Sequence, residues 1–140
     1  MRRGNIHDLP QLTSIASTLS KPFDYLRMDQ NKLRLIVEQL GSKQHYFKVI
    51  EQDGQIVALL AALTNDNLWA EKKCSMPIAW WSDKPGAGRD LLRDYRDWVR
   101  SRPVLKFAAF TPQAAWDGRT NHLLIRAGFN QSGAAFVFTR

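Results

Sequence analysis

The sequence has a single cysteine, Cys74, among its 140 residues. One cysteine cannot form an internal disulfide, and it cannot supply a zinc site made of several thiolates. Small secreted domains held together by disulfides are therefore excluded, and we expect no metal site. The chain also lacks a long apolar run, because its best candidate, "IVALLAAL", is far too short to span a membrane. The opening "MRRGNIHDLP" lacks the apolar middle of a secretory signal, so we expect a cytoplasmic protein without membrane contacts.

The composition is that of a folded domain with a basic surface. Hydrophobic residues make up 44% of the chain, with five Trp and seven Phe, which is more apolar area than a disordered chain carries. The length suits one domain with one core, over residues 1–140. Lys and Arg exceed Asp and Glu by 20 − 13 = 7. Such a charge attracts phosphates, nucleic acid or anionic membranes without choosing among them.

The first third of the sequence has the apolar spacing of two helices. Asp8 and Gln11 have the spacing of a capping pair, which predicts a helix over residues 8–20. A second apolar stripe predicts a helix over residues 29–40, with Gly41 as its C-terminal cap. An initial strand is only weakly indicated.

The rest of the sequence alternates between strand and helix patterns. Two strand-like runs flank Asp53-Gly54, which is a strong hairpin signal. Further strands are predicted over residues 73–81, 104–110 and the C-terminal "AAFVFTR", with helices at "GRDLLRDYRDWVR" and "NHLLIRAGF". The order is β-α-α-β-β-β-α-β-α-β, which predicts the α/β (α+β) class.

The stretch "KPGAGRDLL" places a glycine turn between a strand and a helix. The first amides of a helix have no partner within it, and the helix dipole adds positive charge there. Gly86 and Gly88 would let a phosphate approach, between the charges of Lys84 and Arg89. The alternative is a flexible turn that only starts a helix, because the stretch matches neither the Walker loop nor the dinucleotide fingerprint.

Four segments together resemble the GNAT family of N-acetyltransferases. They are "RRGNIHDLPQLTSIA", "VIEQDGQIVALLAAL", "MPIAWWSDKPGAGRDLL" and "LLIRAGF". The resemblance implies a mixed, mostly antiparallel sheet with a splayed parallel strand pair and helices on both faces. It also implies binding of acetyl-CoA, whose pyrophosphate the family holds with the motif [RQ]-x-x-G-x-[GA]. Here the motif reads Asp83-Lys84-Pro85-Gly86-Ala87-Gly88, so an acid stands at its first position.

The resemblance also implies where acetyl-CoA would lie. The pantetheine arm would occupy the gap between the strands at 73–81 and 104–110, and a free amide would polarise the thioester carbonyl. Pro77 has no amide, so Ile78 is our candidate donor, although Pro77 could equally be an ordinary edge or bulge proline. The predicted acetyl-CoA-binding residues are Met76, Ile78, Trp80, Lys84, Gly86, Ala87, Gly88 and Arg89.

Three residues are catalytic candidates through the same resemblance. Glu71 lies near the position where such enzymes often keep a base, and its alternative is a solvated surface acid. Asn121 and His122 could bind the sulfur or a water, because Leu124 occupies the place of the usual tyrosine acid. His122 could instead be an ordinary surface histidine. Trp69, Trp80 and Trp81 would line an acceptor pocket or simply pack the core.

The predicted function is transfer of the acetyl group of acetyl-CoA to the amine of an unidentified acceptor, which could be a small molecule, a protein or RNA. The alternative is a catalytically weak or inactive module of the same shape that binds a protein or nucleic-acid partner. Asp83, Pro77 and Leu124 favour the alternative. The C-terminal strands could also pair two copies into a homodimer.

Overall fold

The computed structural model describes residues 1–21, 28–66, 71–110 and 118–131. A short 3-10 turn, Ile6–Asp8, leads into the first helix. In chain order the elements are β1 (Arg2–Arg3), α1 (Leu9–Ser20), α2 (Gln30–Leu40), β2 (Tyr46–Gln52), β3 (Gln55–Asp66), β4 (Lys73–Ser82), α3 (Ala87–Arg100), β5 (Leu105–Ala108) and α4 (Gly118–Arg126). The predicted C-terminal strand, the homodimer contact based on it and Trp69 lie outside the described residues.

The strands form a sheet in the order β1-β2-β3-β4-β5. Neighbours run antiparallel except for β4 and β5, which run parallel. Helices α1 and α2 pack on one face of this sheet, and α3 packs on the other. This confirms the predicted mixed α/β sheet with helices on both faces. No helix in the described ranges is both long and apolar enough to cross a membrane.

The two faces of the sheet have different cores. The face under α1 and α2, here called the aliphatic face, is built around Leu12, Ile15, Val37, Leu40, Phe47, Val49, Ile56, Leu59 and Ala61. The face under α3, here called the aromatic face, is built around Tyr46, Ala58, Leu60, Ala62, Ala87, Leu91 and Tyr95, with Trp80, Trp98 and Phe110 packed against them. Neighbouring residues of β3 alternate between the two cores, as a pleated strand requires.

The hairpin between β2 and β3 forms as the sequence predicts. Gln52 pairs with Gln55, so Asp53 and Gly54 alone make the turn. Both have positive φ, 52° and 74°. A two-residue turn of this kind matches the twist of the strands, and it therefore sets their register.

The predicted capping pair of Asp8 and Gln11 is wrong. The Asp8 side chain makes no capping bond to α1, because it accepts hydrogen bonds from the Arg2 guanidinium at 2.7 and 3.0 Å. This hydrogen-bonded ion pair holds the pKa of Asp8 below its ordinary value. The Gln11 Oε1 instead accepts from the amide of Ile56 at 2.8 Å. Both side chains therefore tie the start of α1 to other parts of the fold.

Candidate functional site

The turn between β4 and α3 is held in place by its own side chains and by β3. The Ser82 hydroxyl donates to the Lys84 carbonyl at 2.7 Å and accepts from the Lys84 amide at 3.3 Å. The Asp83 amide donates to the carbonyl of Val57 at 2.8 Å. Gly86 follows with φ of 84° and is the N-cap of α3. Ser82 is absent from the sequence-based candidates, although a serine at the start of a turn is a recognised signal.

Three backbone amides near the start of α3 form a candidate anion site. The Ala87 amide donates to the Lys84 carbonyl at 3.2 Å. By contrast, the amides of Gly86, Gly88 and Arg89 have no hydrogen-bond acceptor within the described residues. Such amides, together with the helix dipole, attract a phosphate group. Ala87 itself has a buried side chain and an occupied amide, so it offers a ligand little.

Two cations flank these amides. Lys84 and Arg89 are both exposed. The Arg89 guanidinium folds back over the turn, since its Nη2 lies 3.7 Å from where a Cβ on Gly86 would stand. Its Nε is 3.8 Å from the Asp90 carboxylate, which leaves most of its hydrogen-bonding capacity for a ligand. Asp83 is exposed as well, so it can point away from the amides.

Gly88 and Trp80 fix the distance between strand and helix. A Cβ on Gly88 would stand 3.1 Å from the Ser82 Cβ and 3.4 Å from the Trp80 Nε1. The Trp80 indole N–H donates to the Gly88 carbonyl at 3.0 Å, and its ring packs 5.6 Å from that of Phe110. Gly88 is therefore needed for close packing whether or not a phosphate binds. Trp80 takes part in this packing, and its predicted role in binding acetyl-CoA stays a prediction.

The parallel strands β4 and β5 separate part-way along. They pair from Lys73 to Ser75, and the last bond runs from the Ala109 amide to the Ser75 carbonyl at 3.0 Å. Between Met76 and Ala79, β4 has no described strand partner on this side. Met76 and Ile78 are 39% and 38% exposed there, as a cleft between the strands requires. The predicted splayed pair is thus confirmed.

A buried hydrogen bond marks the point of separation. The Tyr95 hydroxyl of α3 donates to the Ser75 Oγ at 2.7 Å, and both residues are fully buried. Burial raises the pKa of the Tyr95 hydroxyl, which stays protonated and able to donate. This bond fixes α3 to Ser75, the last residue of β4 with a described pairing to β5. No local sequence pattern predicts the bond.

A β-bulge lies in the part of β4 that pairs with β3 but has no described pairing with β5. Ala61 of β3 pairs with Ala79, but Ala62 pairs with Pro77. Ile78 is consequently the extra residue that no residue of β3 opposes. The bulge lies where the sequence predicted an amide donor for a thioester carbonyl. That role of Ile78 stays a prediction.

The three catalytic candidates are not brought together at this bulge. Glu71 is exposed and precedes β4, while the strand from Lys73 to Ile78 alone covers about 16 Å at the usual rise per residue. Asn121 and His122 are exposed on α4. No described hydrogen bond or ion pair joins either of them to β4. The end of α4 does approach the aromatic face, because Phe129 packs 5.3 Å from Phe110.

No metal centre is visible in the part of the chain that the structure describes, where no three His, Cys, Asp or Glu side chains form a cluster.

Solved structures share this fold over nearly their whole length. A protein from Agrobacterium tumefaciens str. C58, assigned as an acetyltransferase, aligns with a TM-score of 0.73 and 19% identity, over 99% of this chain and 98% of its own. The chain has a GNAT-like acetyltransferase fold. An aminoglycoside acetyltransferase from an uncultured soil metagenomic sample, solved with sisomicin, aligns at 0.72 with 15% identity, over 99% and 94% of the two chains. A Trypanosoma brucei acetyltransferase aligns at 0.73 with 14% identity, over 99% and 97%.

The GNAT-like fold is shown by structure rather than by sequence. No protein-family model and no curated protein matches the sequence. Identities of 14% to 19% leave side chains free to differ while the backbone path is kept. The residues that would act in this chain have to be argued from its own geometry.

Proposed function

We propose that the chain is an N-acetyltransferase that moves the acetyl group of acetyl-CoA to the amine of an acceptor. The observation that carries this proposal is the combination at β4: a stretch from Met76 to Ala79 with no described pairing to β5, a bulge at Ile78, and a following turn whose amides have no acceptor among the described residues. A long thioester with an anionic end fits such a cleft, because each of its chemical parts meets a matching group.

The anionic end of the donor would lie at the start of α3. The amides of Gly86, Gly88 and Arg89 would donate to the pyrophosphate oxygens, and Lys84 and Arg89 would add charge. The chain of the donor would then follow the edge of β4 from Met76 to Ala79, where no strand partner is described. Unsatisfied strand backbone gains hydrogen bonds from such a ligand.

The reaction we propose is direct attack. The neutral amine nitrogen attacks the thioester carbon, and the amide of Ile78 stabilises the oxygen as it becomes negative. The C–S bond then breaks, the new C–N bond remains, and the sulfur leaves as thiolate. The amine proton passes to a base, and a proton reaches the thiolate. Glu71, Asn121 and His122 stay as candidates for these two steps.

The test reverses the charge of one side chain at the turn. We expect wild-type protein to bind acetyl-CoA with micromolar affinity in calorimetry, and Arg89→Glu to weaken this binding about tenfold, because a carboxylate replaces a cation beside phosphate. The matched control is Arg93→Glu, one turn further along α3 on an exposed position. Gly88→Glu is a poorer probe, because its Cβ would crowd Ser82 and Trp80.

The control separates local from general electrostatics. If Arg93→Glu weakened binding as much as Arg89→Glu, the anion would not lie at the turn. Absence of any heat with acetyl-CoA, on protein shown to be folded, would instead favour the module that acts by binding a partner. An acceptor screen that follows thiol release would then identify the amine.

A further inference from the structure

An apolar cavity of about 80 Å³ lies between α1, α2 and the aliphatic face of the sheet. Leu12, Ala16 and Leu19 of α1 line one side, and Ile78 and Ala79 of β4 are part of the other. Every described side chain that lines it is apolar. A cavity of this kind offers a ligand hydrophobic contacts and no hydrogen bond.

The cavity meets the proposed reaction centre at the bulge. Ile78 lines the cavity, is 38% exposed, and is the extra residue of the bulge. It is also the residue whose amide would receive the thioester carbonyl. The acyl carbon next to that carbonyl would therefore lie close to the cavity. This step rests on the proposed function.

The chemistry of the lining selects the occupant. Moving a hydroxyl or an ammonium group into such a cavity costs several kcal/mol, because nothing there replaces its bonds to water. An all-carbon chain has no such cost. A cavity of about 150 Å³ with a similar lining holds benzene, so roughly half that volume suits about three or four carbons.

We propose that this cavity holds the hydrocarbon tail of an acyl thioester longer than acetyl, so that the protein uses short acyl groups such as butyryl. The bonds made and broken are those of acetyl transfer. The amine nitrogen bonds to the acyl carbon, the C–S bond breaks, and CoA leaves as the thiol after protonation. The acyl tail keeps its place in the cavity while the carbonyl reacts.

The experiment compares affinities of free CoA, acetyl-CoA and butyryl-CoA by calorimetry. Butyryl-CoA should bind about tenfold more tightly than acetyl-CoA, since it buries two more methylene groups. Ala16→Leu should remove this advantage by filling the cavity. Ser14→Leu is the matched control, because it adds bulk to an exposed position of the same helix and should keep the advantage. Ala16→Val serves the same purpose if the larger side chain prevents folding.

Each outcome has a separate meaning. Equal affinity for the two thioesters in wild-type protein would overturn this inference and leave the proposed function standing. So would an advantage for butyryl-CoA that survives filling of the cavity, because the tail would then lie elsewhere. Failure of all three CoA compounds to bind folded protein would reject the proposed function and the inference with it.

Discussion

The aromatic and aliphatic faces of the sheet are held together in different ways. On the aromatic face, the Tyr46 hydroxyl donates to the Asp94 carboxylate at 2.7 Å, and the rings of Tyr46 and Tyr95 meet edge to face at 5.0 Å. On the aliphatic face, contacts between Leu, Ile and Val side chains have no preferred direction, and about 80 Å³ remains empty. Directional bonds fix positions, whereas undirected contacts leave room for a group of variable size.

The difference has a consequence for the proposed chemistry. The aromatic face fixes α3 against β4, and thereby the amides and the point where β4 and β5 separate. On the aliphatic face, a cavity borders the bulge. We infer that the first face sets where a donor binds and that the second sets which acyl group fits.

Two neighbouring leucines give the sharpest test of this comparison. Leu60 and Leu59 are both buried, at 0% and 3% exposure, but they belong to the aromatic and aliphatic faces. We expect Leu60→Ala to lower the free energy of unfolding by about 4 kcal/mol and Leu59→Ala by about 2 kcal/mol. Leu59 already borders empty space and loses fewer contacts. Urea denaturation measures both, and equal losses would mean that the two faces are packed alike.

A smaller effect tests the directional bonds. Tyr95→Phe keeps the ring but leaves the buried Ser75 Oγ without its donor, so we expect a loss of about 1–2 kcal/mol in the free energy of unfolding. The double variant with Ser75→Ala should cost less than the sum of the two single variants, since it removes both partners. Strict additivity in this cycle would show that the bond contributes nothing to the aromatic face.

Much of this framework is visible in the sequence. The β2–β3 hairpin follows from Asp53-Gly54, and α2 from a regular apolar stripe capped by Asp29, whose side chain accepts from the amides of Asn31 and Lys32. The helix start after Gly86 follows from the same kind of local signal. Local chemistry decides such features, so local sequence predicts them.

Contacts between distant residues are what the sequence does not predict. Asp8 has the spacing of a cap, yet Arg2 takes its carboxylate, and the Tyr95–Ser75 bond joins residues 20 positions apart. Gly88 has the signature of a phosphate loop, but its lack of a side chain is equally required by Ser82 and Trp80. Tertiary packing decides these cases, and no periodicity encodes it.

The smallest expected effect concerns a buried histidine at the open end of the β2–β3 pair. The His45 Nδ1 accepts the amide of Thr64 at 3.0 Å, and the residue is 2% exposed. Burial lowers the pKa of His45 from its ordinary value of 6.5. The unfolded chain therefore binds the proton more readily, and stability is full above pH 6.5 and falls as the pH drops through the lower pKa of the folded state.

His45→Asn isolates this contribution, because an asparagine side chain retains an acceptor for the Thr64 amide and cannot titrate. We expect the midpoint of urea denaturation to fall as the pH drops below 6.5 in wild-type protein and to stay nearly level in the variant. Asp8 acts in a separate window, since its pKa lies below its ordinary value of 3.8 and its contribution is lost only at lower pH. An identical pH profile in both proteins would show that the end of the β2–β3 pair does not depend on a neutral imidazole.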